Sequence, residues 1–161
     1  MIVVPRNPAE NVVMAQWAAD VLNEELEMFG FDRNGNPLFQ TMGFQARGKL
    51  ACVIIVYQYI RPNIFMSIAA TDPRWASREN LSVCGKWVFD DLECERITVF
   101  VKKRNKRSRK FVTGIGFKYE GNMRHACIDG DVIMYGLIKE DHQNWLRKAY
   151  GRQRLNTSRR T

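Results

Sequence analysis

The sequence predicts a mixed α/β (α+β) fold with a central, mostly antiparallel sheet flanked by helices. Three observations predict it. Segments with apolar residues at helical spacing alternate with short runs rich in β-branched and aromatic residues. Clusters of Gly, Pro, Asn and Asp punctuate the boundaries between them. The chain has 161 residues, 45% of them hydrophobic, which is enough for one domain with a real core and too few for two.

The elements follow in order. Asn7-Pro8 reads as a helix start, Asn as cap and Pro in the first turn. Val12, Val13, Ala15, Ala18, Val21 and Leu22 continue at helical spacing, predicting a helix from 8 to about 28. A loop from Gly30 to Pro37 precedes a strand over about 38–45, which turns through Ala46-Arg47-Gly48. Leu50 to Tyr59 reads as a buried strand, and Ile64 to Ala70 as the next after an Arg61-Pro62-Asn63 turn. A helix over about 77–92, capped by Asp72 or Ser77, carries Leu81, Cys84, Val88 and Leu92 on one face. A strand over 97–101, a helix over 106–113 ended by Gly114 and Gly116, strands near 117–126 and 131–138, and a helix over 139–149 complete the chain. Composition predicts disorder beyond it, over 150–161. The expected organisation is a single domain over 1–146 and a basic tail over 147–161.

Charge is unevenly placed within the net +8. The stretch 102–110 holds seven basic groups, and 147–161 holds Arg147, Lys148, Arg152, Arg154, Arg159 and Arg160. Neither contains an acid, and the remainder of the chain is net acidic. Two local positive patches suit a polyanion: cofactor phosphates, nucleic acid or an acidic protein surface. They equally suit a solvated face. Phe100, Phe111, Phe117 and Tyr119 alternate with Lys and Arg, a pattern that suits stacking on single-stranded bases or aromatics turned inward with charges in water.

Cys52, Cys84, Cys94 and Cys127 form no Cys-x-x-Cys pair and have only His125 and His142 beside them. No metal site is expected, and reduced core thiols are the default. No apolar run approaches the roughly 20 residues that span a bilayer. The start MIVVPRNPAE lacks the features of a signal peptide, so a cytoplasmic location is expected.

The stretch from Ile97 to Trp145 carries a more specific pattern. An apolar strand is followed by Asn105, Ser108 and a short helix, then by Gly116-Phe117, Glu120-Gly121, Arg124, Asp131 and Tyr135-Gly136. It resembles the C-terminal half of a GCN5-related N-acetyltransferase (GNAT) domain, of the ribosomal-protein-alanine-acetyltransferase subgroup and of the type found in tailed phages and prophages. The resemblance covers roughly residues 38–146. It implies acetyl-CoA as cofactor and acyl transfer to an amine. It implies a pantetheine arm between the strands 64–70 and 97–101, lined by Ser67, Ile68 and Ala69, with backbone N–H groups polarising the thioester. Asn105 and Ser108 occupy the family's Asn-x-x-Ser/Ala positions, where contact with the pantetheine arm is implied; an Asn helix cap with a small neighbour explains them equally.

Two departures from the family pattern stand out. Active members carry Gln/Arg-x-x-Gly-x-Gly/Ala before the helix equivalent to 77–92, where glycines let backbone N–H groups wrap a pyrophosphate. Here that place reads Arg74-Trp75-Ala76-Ser77-Arg78-Glu79-Asn80, without glycine. Arg74, Ser77 and Arg78 are the remaining candidates for phosphate. The tyrosine that many members place seven residues after the Asn is Val112 here. For the general base, Glu79, Asp72 and Asp131 are candidates by location. His125 suits the core or a sheet edge.

Two functions follow as expectations. One is a GNAT-like acetyltransferase moving an acetyl group from acetyl-CoA to an amine. The other is a catalytically inactive GNAT-fold structural or interaction protein, a phage virion or tail/portal component, with location in the virion. Nucleic acid is a partner through 102–110 and 147–161 in a third, less specific reading. A homo-oligomer through the apolar strand 50–59 is also expected.

Overall fold

The computed structural model describes residues 1–157, with side chains through Ala149; residues 158–161 lie outside the described residues. The chain divides into two compact units, Met1–Cys84 and Gly85–Thr161.

The first unit is built on four antiparallel strands in the order β1 (Ile2–Val3), β2 (Phe39–Ala46), β3 (Lys49–Ile60) and β4 (Asn63–Ala70). Helix α1 (Pro8–Leu22) starts where the sequence predicts: Asn7 Oδ1 accepts the Glu10 N–H at 2.9 Å, satisfying one of the orphan donors of the first turn. It stops earlier than expected. Asn23 adopts a left-handed conformation, φ 54°, and returns its N–H to the carbonyls of Ala19 and Asp20. Leu26–Phe29 then forms a separate 3₁₀ turn in place of more α-helix.

The buried face of α1 agrees with the expectation at Ala15 and Ala18 and differs from it at Val13 and Val21. Met14, Ala15, Ala18 and Ala19 are buried, whereas Val13 and Val21 face solvent. Small residues let the helix lie close to β3 and β4. They join Phe29, Phe39, Val53, Ile55, Tyr57 and Ala69 in one core. A polar tie fixes this contact. Asn11 donates Nδ2 to the Phe39 carbonyl at 2.9 Å and accepts the Thr41 hydroxyl at 2.8 Å. Both side chains are buried and satisfied, as a buried amide must be.

Every residue from Ala51 to Tyr57 is buried. That explains why β3 reads as a continuous apolar run and not as an alternating one. Those side chains are therefore already covered within the chain; Lys49 at the start of β3 and Gln58, Tyr59 and Ile60 at its end are exposed. A register shift between Tyr57 and Ile60, with Gln58 at φ 47°, ends the regular ladder there.

Helix α2 (Arg78–Lys86) begins in the first unit and passes at Trp87–Asp91 into one π-helical turn. The second unit contains β5 (Arg96–Lys102), α3 (Lys106–Gly114), β6 (Lys118–Cys127), β7 (Gly130–Ile138) and α4 (Lys139–Thr157). Its strands pair antiparallel in the order β5-β7-β6. Strand β7 is central and supplies buried Val132, Ile133, Tyr135 and Leu137. Arg96 grips both carboxylate oxygens of Glu120 across β7, and the carboxylate lies where a side chain on Gly136 would stand. Gly136 is thus required by a cross-strand ion pair.

Helix α4 corrects the expected ending. It continues past the expected end at 149, to Thr157. Lys, Arg, Gln and Leu are good helix formers and no proline interrupts them. Arg147, Lys148, Arg152 and Arg154 of the basic tail are helical, while Arg159 and Arg160 lie outside the described residues.

Candidate functional site

The segment from Asp72 to Leu81 holds five of the sequence candidates, and its hydrogen bonds close on themselves. Asp72 caps a 3₁₀ turn over Pro73–Trp75, accepting the Arg74 N–H at 3.0 Å. Its carboxylate also binds the Arg74 guanidinium through Nε at 2.9 Å and Nη2 at 2.8 Å. The amides of Trp75, Ala76 and Ser77 bond to the carbonyls of Asp72, Pro73 and Trp75. Ser77 Oγ caps α2 by accepting the Asn80 N–H at 3.1 Å, and the Leu81 N–H returns to the Ser77 carbonyl. Asn80 Nδ2 ties back to the Trp75 carbonyl at 2.6 Å.

Trp75 anchors this turn. It is 2% exposed and lies against Phe44 with ring centroids 5.4 Å apart. A bulky aromatic thus fills space that a glycine turn leaves open. Arg74 is neutralised by Asp72, and Ser77 is spent as a cap. Arg78 is half-buried in the first turn of α2, and Glu79 beside it is exposed. As a base candidate Asp72 is occupied, whereas Glu79 remains available to solvent.

Ser67, Ile68 and Ala69 lie together on β4. Ser67 pairs with Ile55 on β3, and its hydroxyl lies 3.4 Å from the Tyr57 phenol. Ser67 and Ile68 are half-buried, while Ala69 is fully buried in the core of the first unit. Ala69 can therefore contribute backbone but no side-chain contact. Burial raises the Tyr57 phenol above its usual pKa, opposed in part by the Ser67 hydroxyl.

Asn105 and Ser108 are brought together at the start of α3. Asn105 Oδ1 accepts the Ser108 N–H at 3.0 Å, which is helix capping. Val112, at the position where the GNAT resemblance leads one to expect tyrosine, is buried. The basic run around this cap is partly neutralised. Lys102 and Arg104 reach Asp129 at 3.2 and 2.7 Å, and Lys103 reaches Asp131 at 3.6 Å. Arg109 donates to the Tyr135 phenol at 3.1 Å and to the Lys103 carbonyl at 3.0 Å. Lys106, Arg107 and Lys110 are exposed.

Asp131 is a structural carboxylate. It accepts from Asn122 Nδ2 and from the His125 N–H, each at 3.0 Å, and the Asn122 amide leads in holding it below the usual carboxylate range. It thereby pins His125, at φ 52°, where the β6–β7 register shifts. His125 itself is exposed on β6. Of the interleaved aromatics, Phe117 is buried, but Phe100 and Tyr119 face solvent, so the inward-facing account holds for only part of the set. Among the described residues no three His, Cys, Asp or Glu side chains converge as a metal site. No helix of the described chain is long and apolar enough to cross a membrane.

Sequence reasoning missed His142. It is 8% exposed, between Phe89 at 5.6 Å and Trp145 at 6.4 Å, and its Nε2 has no hydrogen-bond partner. The apolar, aromatic neighbours at helical spacing gave the only signal that position 142 faces inward.

No family model and no curated protein matches the chain. Solved structures do. A variant of a spermidine N-acetyltransferase from Vibrio cholerae aligns at TM-score 0.65 and 13% identity, covering 89% of this chain and 96% of that one. The chain has the GNAT fold. An acetyltransferase of the GNAT family from Streptococcus pneumoniae aligns at TM-score 0.61 and 18% identity, over 86% of this chain and 98% of that one. A further acetyltransferase structure, from T. thermophilus, aligns at TM-score 0.61 and 22% identity, over 74% of this chain and 69% of that one.

Acetyl-CoA is the donor that this fold implies, and the 72–81 segment tests its phosphate end. Six backbone amides there, those of Arg74, Trp75, Ala76, Ser77, Asn80 and Leu81, are already spent on internal acceptors. A pyrophosphate is held by amides that point outward and lack other partners. The turn from Arg74 to Ser77 does not fit that role.

Proposed function

We propose that this GNAT-fold chain transfers an acetyl group from an acetyl thioester to an amine. The GNAT fold, aligned with a spermidine N-acetyltransferase over 89% of the chain, carries the reading. The reading assigns Ser67, Ile68 and the Ala69 backbone on β4, and Asn105 with Ser108 at the start of α3, to the acyl-pantetheine arm of acetyl-CoA. Glu79 is its candidate base because it is exposed and uncommitted, whereas Asp72 is locked to Arg74. The amine is a polyamine, a lysine or a protein N-terminus. Incubation with acetyl-CoA and one amine of each class, followed by thiol release and product mass, tests it. Amine-dependent thiol release supports the reading; release no faster than spontaneous hydrolysis with every class sinks it.

A second reading is favoured by one observation, the self-satisfied 72–81 turn. In this reading the chain is a catalytically inactive GNAT-fold interaction protein, with a phage virion or tail/portal assembly as its setting. The exposed cations Lys106, Arg107, Lys110, Arg147 and Lys148 then meet an acidic protein or nucleic acid. Binding to DNA through those groups weakens steeply as salt rises; affinity unchanged by salt removes the nucleic-acid partner.

A further inference from the structure

Resting on the acetyl-transfer reading, we propose that the chain takes its acyl donor through the acyl-pantetheine arm alone and leaves the nucleotide phosphates ungripped. The class of donor is then an acyl-pantetheine thioester, whatever stands beyond the pantetheine.

The argument is an account of donors. A phosphate-binding turn must present several N–H groups with no partner in the protein, and a positive side chain free to approach. Between Arg74 and Leu81 six N–H groups are committed. Four of them, at Arg74, Trp75, Ala76 and Ser77, are consecutive, so no outward-facing run of amides exists from Arg74 to Ser77. The Arg74 guanidinium is held by both Asp72 oxygens. The Ser77 hydroxyl is held by the Asn80 amide. The Asn80 carboxamide closes the turn from the other side, on the Trp75 carbonyl.

Opening this turn for an anion means breaking these bonds together, because they share one anchor. Trp75 is buried against Phe44 in the core of the first unit, and both its amide and its carbonyl belong to the closed network. A shift of the backbone at Ala76 or Ser77 moves the indole out of that packing. Glu79 adds an exposed carboxylate in the first turn of α2, where an incoming phosphate meets repulsion.

Two measurements on the full chain test the proposal. First, inorganic pyrophosphate and 3′-phosphoadenosine 5′-diphosphate, the nucleotide half of coenzyme A, are titrated to millimolar concentration while the backbone amide resonances of 74–81 are followed. Unmoved Trp75, Ala76 and Ser77 amides are expected; saturable shifts at those amides overturn the proposal. Second, the affinities of acetyl-CoA and acetyl-pantetheine are compared by calorimetry. Equal affinity to within about twofold is expected, and a preference of about tenfold or more for acetyl-CoA overturns it. Silence from both donors alongside unmoved amides ends the acetyl-transfer reading but upholds the closed turn, so the two failures are distinguishable.

Discussion

The imidazole of His142 lies directly over Gly85. A Cβ on Gly85 would overlap Nε2, the ring atom that has no hydrogen-bond partner. Glycine inside a helix normally costs about 0.5–1 kcal/mol relative to alanine. Here it is kept because α4 inserts a ring at that point, just before the π-helical turn Trp87–Asp91. π-Helical turns inside α-helices frequently mark functional sites, and this one presents Phe89 to the same ring.

Gly85→Ala follows as the first prediction. Its propensity gain of up to about 1 kcal/mol is smaller than the roughly 1–3 kcal/mol that overpacking costs. Chemical denaturation should therefore show net destabilisation. A variant as stable as the parent contradicts the close contact.

His142 also predicts a pH dependence. Burial is the leading cause that lowers its pKa, and Asp90 opposes it. The other groups against the ring, Gly85, Phe89 and Trp145, carry no charge. Because the folded-state pKa lies below the ordinary value, the unfolded chain binds the proton more readily. The contribution to stability is complete above the unfolded pKa of about 6.5 and is lost as pH falls below it. Unfolding midpoints at pH 7.5 and pH 5 check this (both about one unit or more from that pKa). The difference between them should shrink in His142→Gln; an unchanged difference assigns the acid sensitivity elsewhere.

Ser77→Ala removes the cap of α2 and should cost about 1 kcal/mol in stability. It also frees the Asn80 amide. Hydrogen exchange at Asn80 should accelerate in the variant, and unaltered exchange would show that Ser77 Oγ does not hold that amide.

Thiol labelling should rank the cysteines. Cys84 is buried and pushed up to about 12, and burial raises Cys52 further, so both remain protonated and shielded near neutral pH. Cys127 is half-buried on β6. An alkylating reagent applied to the native protein should modify Cys127 first; early modification of Cys52 or Cys84 contradicts the burial.

These residues also mark what was legible beforehand. Strand β3 and the Asn7 cap of α1 were readable because an apolar run and a capping pair each act within a few residues. The end of α1 was not, because Leu26 and Phe29 continue an apolar pattern while Asn23 breaks the backbone. The glycine-free stretch 74–80 was visible as a departure from the GNAT pattern. Its meaning was not visible, since closure depends on bonds from Asp72, Ser77 and Asn80 and on Phe44, which is distant in sequence. His142 over Gly85 joins residues far apart in the chain, and no local pattern reports such a contact.

The acetyl-transfer reading is tested most directly by calorimetric titration of the purified protein with acetyl-CoA at physiological salt, with Asn105→Ala beside it. The account predicts saturable micromolar binding that weakens in the variant. Absence of binding at millimolar acetyl-CoA would contradict it and leave the GNAT fold here as a scaffold for a protein or nucleic-acid partner.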